Sequence, residues 1–195
     1  MKRMEIISLL EQYNPSLLEE VEYKKSMLNF IKNNELCFER SLLIGHITAS
    51  AWLLSKDLSS VLLMHHAKLN DWFQLGGHCD GESDVLSVAI KEAQEESGIQ
   101  QIIPVDRAIF DIDIHLIPEN IREKAHYHYD IRFLLKVVSD ELVVQNKESK
   151  ELRWIPKDIN ALPTKTRSIL RMFNKWVNHK NSHIHNYKLD TTTNL

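Results

Sequence analysis

Glu92, Glu95 and Glu96 are the residues of this chain whose type and spacing most readily do chemistry. In a helix they fall at i, i+3 and i+4, so at about 100° per residue their carboxylates share one wedge of the surface. Like charges at this spacing weaken a helix by roughly a few tenths of a kcal/mol per pair, and they crowd the C-terminal end, where the helix dipole favours cations. A bound divalent cation reverses both penalties, and hard carboxylate oxygens suit Mg²⁺ or Mn²⁺. Directly before the helix, Gly76, Gly77 and Gly81 lie within six positions and are three of the five glycines in the chain. Such a cluster lets backbone turn sharply and approach a ligand closely. Carboxylates beside a glycine-rich loop would put metal ions next to a phosphate-sized space. The competing reading is a solvated acidic face, and the coincidence of the two features weighs against it.

These groups need elements to hold them. Leu86, Ala89, Ile90 and Ala93 form an i, i+3, i+4, i+7 stripe, the buried face of a helix over residues 84–97. Ser83 or Asp84 can cap its start, and Gly98 sits where a left-handed residue ends a helix. Residues 42–54 and 60–66 read as a hairpin turning at Lys56-Asp57-Leu58-Ser59. Residues 109–116 alternate, with Asp111, Asp113 and His115 on one face. Residues 126–133 alternate too, with His126, His128, Asp130 and Arg132 together. Residues 142–144 and 152–155 are shorter strand candidates. A second helix pattern runs over 165–178 through Ile169, Leu170, Met172, Phe173 and Trp176. The first forty residues are also helical in pattern, with Leu17, Leu18, Val21, Tyr23, Met27, Leu28 and Ile31 at spacings near three and four. Pro15 suits a helix start, and Glu19, Glu20 and Glu22 precede Lys24 and Lys25 in the favourable order. After residue 177 the chain turns polar and reads as a disordered or loosely docked tail. No repeat or interdomain linker interrupts the chain, so one mixed α/β domain is the economical reading.

The segment Gly76-Gly77-His78-Cys79-Asp80-Gly81-Glu82-Ser83-Asp84 and its helix resemble the box of the Nudix hydrolase superfamily, G-x5-E-x7-R-E-U-x-E-E-x-G-U with U aliphatic. The pattern starts on Gly77, and its last nine positions read Lys91-Glu92-Ala93-Gln94-Glu95-Glu96-Ser97-Gly98-Ile99. The early glutamate is Ser83, the arginine is Lys91 and Ala93 takes the aliphatic position. Glu82 or Asp84 would then have to replace the structural ion pair with Lys91. The resemblance covers about residues 40–177 and implies an α/β/α sandwich around a mixed β-sheet, with an N-terminal helical extension. The boundaries that follow are a helical extension over 1–38, a Nudix hydrolase domain over 39–178 and a polar tail over 179–195.

What the resemblance implies chemically is hydrolysis of a diphosphate (pyrophosphate) bond in a nucleoside diphosphate derivative, that is, a Nudix-type pyrophosphohydrolase. Glu92, Glu95 and Glu96 are then the catalytic and metal-binding residues, holding Mg²⁺ or Mn²⁺. A carboxylate removes a proton from the attacking water. Glu95 and Glu96 are candidates for that role, as are Glu148 and Glu151 outside the box. Gly76, Gly77, His78, Trp72, His126 and His128 are the expected substrate-binding residues, with Trp72 placed to stack on a base. His46, His65 and His66 lie on neighbouring strands. The density of imidazole is unusual, and at least two rings are expected to face the pocket, for phosphate binding, proton transfer or a transition metal. Two other classes fit the same fold: a diphosphate isomerase acting through Cys79 and a carboxylate, and a non-catalytic ligand-binding module.

Composition narrows the partners. The net charge is −3, from 24 basic and 27 acidic side chains, so a broad basic face for nucleic acid has no support. Two cysteines, Cys37 and Cys79, are too few for a disulfide scaffold. Glu5 and Glu11 cut the first apolar stretch too short for a signal-peptide core, and no run is long enough to span a membrane. The expectation is a cytoplasmic enzyme of small molecules, with no membrane partner. The apolar stripe of the first helices must be covered by the domain or by a second copy in a homodimer.

Overall fold

The protein is described by a computed structural model over residues 3–119, 121, 124–138 and 140–179. Helices α1 (Met4–Gln12) and α2 (Leu18–Asn33) precede strands β1 (Gly45–Leu54), β2 (Ser60–His66), β3 (Trp72–Phe73) and β4 (Leu75–His78). Helix α3 (Val85–Ser97) follows, then β5 (Ile102–Ile117), β6 (His126–Val137), β7 (Ser149–Pro156) and α4 (Arg167–Asn178). The sheet runs β3-β2-β1-β6-β5, with β4 also on β1 and β7 also on β2. β1 and β6 are parallel and the other pairings antiparallel, so the sheet is mixed.

β1 is buried along its whole length, as a central strand covered on both faces must be. Its alternation assigns the two faces. Ile47, Ala49, Ala51 and Leu53 join one core with residues of α1, α2 and α3. Trp52 and Leu54 join a second core with Ile169, Met172, Phe173 and Trp176 of α4. β2 splits the same way, Leu62 and Met64 against Val61 and Leu63. Two helical layers therefore sandwich the sheet.

The predicted hairpin forms, but β1 and β2 pair at Leu53↔Leu62 and Leu54↔Val61, near the turn. Farther on they diverge, because β4 takes the edge of β1 over Thr48–Ala51. This wedge carries the glycine loop onto the central strand. Asp84 caps α3 by accepting from the Ser87 N–H at 3.1 Å, and Gly98 closes the helix at φ 77°. β5 is longer than the alternation predicts and carries irregularities on both sides of Ile109. The strand expected over residues 142–144 does not form. The Val144 N–H donates instead to the Ser97 carbonyl at the end of α3.

The first helices are not a loose appendage. Ile6, Leu10, Met27, Phe30 and Ile31 are buried in the first core, and Phe30 stacks on Tyr129 of β6 with ring centres 4.0 Å apart. The first half of the predicted α2 stripe behaves otherwise: Leu17, Leu18 and Val21 are exposed. Glu19 and Glu20 do not serve as surface partners of the lysines that follow them. Both turn inward, Glu19 to Arg171 at 2.9 Å and Glu20 to Lys175 and Tyr13. Lys24 satisfies the carbonyls of Glu11 and Tyr13 at the end of α1. From residue 180 on, the tail expectation falls outside the described residues. Among the described residues, no helix is long and apolar enough to cross a membrane.

Candidate active site

Two glycines seat the carboxylates of α3 against β4. A Cβ on Gly76 would lie 2.6 Å from the Ala49 carbonyl oxygen and closer still to the Ser50 hydroxyl, so only glycine fits against β1. Its N–H donates to Glu96 Oε2 at 2.8 Å. A Cβ on Gly77 would lie 2.6 Å from the carboxyl carbon of Glu92. The missing side chain of Gly77 thus makes room for Glu92, and that of Gly76 lets the loop lie against β1 with its N–H turned to Glu96. Glu96 is buried, Glu92 half-buried and Glu95 exposed. The single wedge drawn from helix geometry becomes a gradient from sheet to solvent.

Glu92, Glu95 and Glu96 line a cavity of about 300 Å³ together with Asn146, Lys147 and Glu148 from the segment before β7. Burial pushes the Glu96 carboxyl up to about 8. The Gly76 N–H opposes this, and the charges of Glu92, Glu148 and Glu95 add to it. Burial likewise raises Glu92, against the pull of Lys91. Carboxylates that resist ionisation in one another's company are what a divalent cation would relieve, and a set of hard oxygens is the donor set Mg²⁺ and Mn²⁺ take. The residues fit such an ion. Lys91 departs from expectation: its ammonium lies 3.8 Å from Glu92 and 3.5 Å from Glu95. Asp84 is occupied in capping α3, and Glu82 accepts from the N–H groups of Ser83 and Asp84 in the turn before it.

Glu92, Glu96 and Glu148 also line a larger cavity of about 600 Å³. Gly76, Gly77 and His78 form one wall, and Thr48, Ser50, Gln74, Asp130 and Arg132 line it as well. Asp130 accepts from Thr48 at 3.0 Å, Ser50 at 2.8 Å, Gln74 at 3.2 Å and Arg132 Nε at 2.7 Å. Arg132 also donates to Asp111 at 2.9 Å and Asp113 at 3.0 Å, and Arg171 of α4 joins the same two aspartates. Burial opposes the charge on Arg132, and Asp130, Asp113 and Asp111 outweigh it, so the guanidinium stays ionised. The Asp130–Arg132 part of this wall is pre-organised by these buried hydrogen bonds, whereas the buried Gln74 Oε1 has no hydrogen-bond partner among the described residues. Arg40 reaches the cavity from the segment before β1, held by Asp80 through two 2.5 Å contacts.

Not every expected residue arrives here. His78 and His128 line the cavity with His66 and His115, and His126 stands behind His128. Trp72 does not reach it. The indole is buried in the second core, stacked on His65 and covered by the Arg153 guanidinium 4.7 Å from its centre, so packing explains it better than base stacking. Glu148 lines both cavities, whereas Glu151 pairs with Arg153 at 2.6 Å on β7. Cys79 is buried in the first core, and burial pushes its thiol well up, the opposite of what a cysteine-dependent isomerase needs. Sequence reasoning missed Arg40, Thr48, Ser50 and Gln74 as cavity residues. The available signal was the alternation of β1, which puts polar Thr48 and Ser50 in the same row as His46.

The sequence matches the NUDIX domain over residues 45–177. No curated protein matches it. A NUDIX-family hydrolase from Clostridium perfringens of known structure is 24% identical, over 68% of this chain and 95% of that one, with a TM-score of 0.51. A MutT protein from Methanosarcina mazei Go1 is 21% identical over 68% and 93%, with a TM-score of 0.53. A MutT NUDIX hydrolase from Burkholderia pseudomallei is 19% identical over 67% and 97%, with a TM-score of 0.52. At these identities the likeness is one of fold.

Proposed function

Since this chain belongs to the NUDIX domain family, we propose that it hydrolyses the diphosphate bond of a nucleoside diphosphate derivative with Mg²⁺ or Mn²⁺ held by Glu92, Glu95 and Glu96. The observation that carries the reading is the buried Glu96 carboxylate, fixed by the Gly76 N–H and facing the same cavity as Glu92 and Glu148. The catalytic domain spans residues 39–178, and the chain works on small molecules in the cytoplasm.

When bound, a divalent ion neutralises diphosphate charge, polarises the P–O bond and lowers the pKa of water. The residues of the chain do the rest. Glu92 and Glu96, seated on Gly77 and Gly76, fix the position of the cation site relative to the sheet. Glu148 lines both cavities and is free of the ion pair that holds Glu151 to Arg153, so we assign it proton acceptance from the attacking water. Burial and the neighbouring imidazoles hold His128 down to about 2, so at neutral pH it offers hydrogen bonds without positive charge. Arg40, which lines the larger cavity, and Lys147, which lines the smaller one, are the cationic side chains assigned to the phosphates. The test is a panel of nucleotide sugars, ADP-ribose, dinucleoside polyphosphates and oxidised nucleotides, incubated with each metal or with chelator. Metal-dependent cleavage of at least one P–O–P bond is the expected result, and a panel left intact by a folded, metal-loaded chain would oppose the reading.

A further inference from the structure

Beside the cavity, three strands bring imidazoles together. His46 of β1 pairs in register with His128 of β6, and His78 of β4 pairs with Thr48 on the other edge of β1. The ring centres of His46, His78 and His128 form a nearly equilateral triangle with sides of 5.0, 4.9 and 4.9 Å. Each ring presents a nitrogen within 4.8 Å of the other two. We propose that His46, His78 and His128 bind a nitrogen-preferring transition ion of the Zn²⁺ class, at a site separate from the carboxylate cluster.

Geometry and chemistry both favour such an ion. Two nitrogens about 2.0–2.1 Å from a tetrahedral Zn²⁺ stand roughly 3.4 Å apart, so closing the triangle takes shifts on the order of 1 Å, within the reach of ring rotation. His126 supplies an orienting contact. Its Nδ1 lies 2.8 Å from the Lys124 carbonyl oxygen, which can only accept, so Nδ1 carries the proton. Its Nε2 is left with a lone pair 3.3 Å from His128 Nε2. A metal-binding histidine usually donates its other ring N–H to an acceptor, and the His126 Nε2 lone pair is such an acceptor for His128. His115 completes the surroundings, 5.4 Å from His128, with its Nδ1 3.6 Å from Asp113. Asp80, two residues along from His78, is taken up by Arg40, and the closely grouped ligand atoms are those of the three imidazoles. The donor set is therefore imidazole, which suits Zn²⁺, Co²⁺ or Ni²⁺ and not Mg²⁺. Two of the three ligands, His78 and His128, line the substrate cavity, so a bound ion would border it.

The inference does not rest on the hydrolase reading, and its test reads metal directly. The metal-free full chain is titrated with Co²⁺, whose visible spectrum reports nitrogen ligation, and then with Zn²⁺. Three proteins are compared: the wild type, the His78→Gln/His128→Gln double variant and the Glu92→Gln/Glu95→Gln/Glu96→Gln triple variant. With excess Mg²⁺ filling the carboxylate site, one equivalent of Co²⁺ with a nitrogen-ligation spectrum should bind to the wild type and to the triple variant and be displaced by Zn²⁺. In the double variant binding should weaken by at least about 100-fold. Should that variant lose its thermal transition, His78→Gln alone replaces it. With excess Mg²⁺ present, a wild type that shows no nitrogen-ligated Co²⁺ overturns the proposal, as does a nitrogen-ligation spectrum that survives histidine replacement or vanishes with the glutamates.

Discussion

At the scale of single residues the account turns on Glu96. Its carboxylate is buried against the Gly76 N–H, so Glu96→Gln keeps the shape and one hydrogen bond but removes the charge. Turnover at saturating Mg²⁺ should fall by about two orders of magnitude or more, because several kcal/mol of transition-state stabilisation go with a metal ligand. Steady-state rates for Glu96→Gln beside wild type check this. The same residue has a signature in stability. Its folded-state pKa is raised from 4.5 to about 8, so between those values the folded chain holds a proton the unfolded chain has lost. In chelator, stability should therefore fall as pH rises from 4.5 to 8, by up to about 1.4 kcal/mol per pH unit. Denaturant titrations across that range should show the slope, and Glu96→Gln should flatten it. The three glutamates were legible from their spacing. That Glu96 is the buried one was not, because it depends on how closely Gly76 approaches β1.

At the scale of elements, the clasp between α2 and α4 is the feature that patterning could not supply. Glu19 and Glu20 look like the exposed acidic start of an amphipathic helix, but they complete a buried network with Arg171, Lys175, Asp111 and Tyr13. Arg171 and Lys175 lie more than a hundred residues away from Glu19 and Glu20, so no local rule could pair them. Burial raises the Glu20 carboxyl, but hydrogen bonds from Lys175, Tyr13 and Ser16 outweigh it and hold the group down to about 2. Its contribution to stability is present above the ordinary 4.5 and is lost as pH falls toward 2. Lys175→Met leaves Glu20 and Asp111 short of a cation and should cost about 3–5 kcal/mol by chemical denaturation. Glu20→Gln should flatten the acid limb of the stability profile between pH 4.5 and 2. An unchanged acid limb would mean that Glu20 is as well solvated folded as unfolded.

For the whole molecule, the α/β/α sandwich followed from the order of helical and alternating segments together with the resemblance at the glycine loop. The share of the core supplied by the first helices did not, because amphipathic spacing says that a face is buried but not against what. Since Ile6, Leu10, Met27, Phe30 and Ile31 belong to the first core, a chain starting at Glu39 should lose its cooperative thermal transition. A shortened chain that melts like the parent would show the helices to be dispensable. Light scattering on the full chain tests whether the exposed Leu17, Leu18 and Val21 pair two copies in a homodimer. The claim at the centre is that the α3 carboxylates are a divalent-cation site, and the most direct measurement is a Mn²⁺ titration of the metal-free chain followed by the electron spin resonance of free Mn²⁺. The account predicts at least one bound equivalent per wild-type chain, competed by Mg²⁺ and lost in the folded Glu92→Gln/Glu95→Gln/Glu96→Gln variant; equal Mn²⁺ binding by both proteins, or none by the wild type, would contradict it.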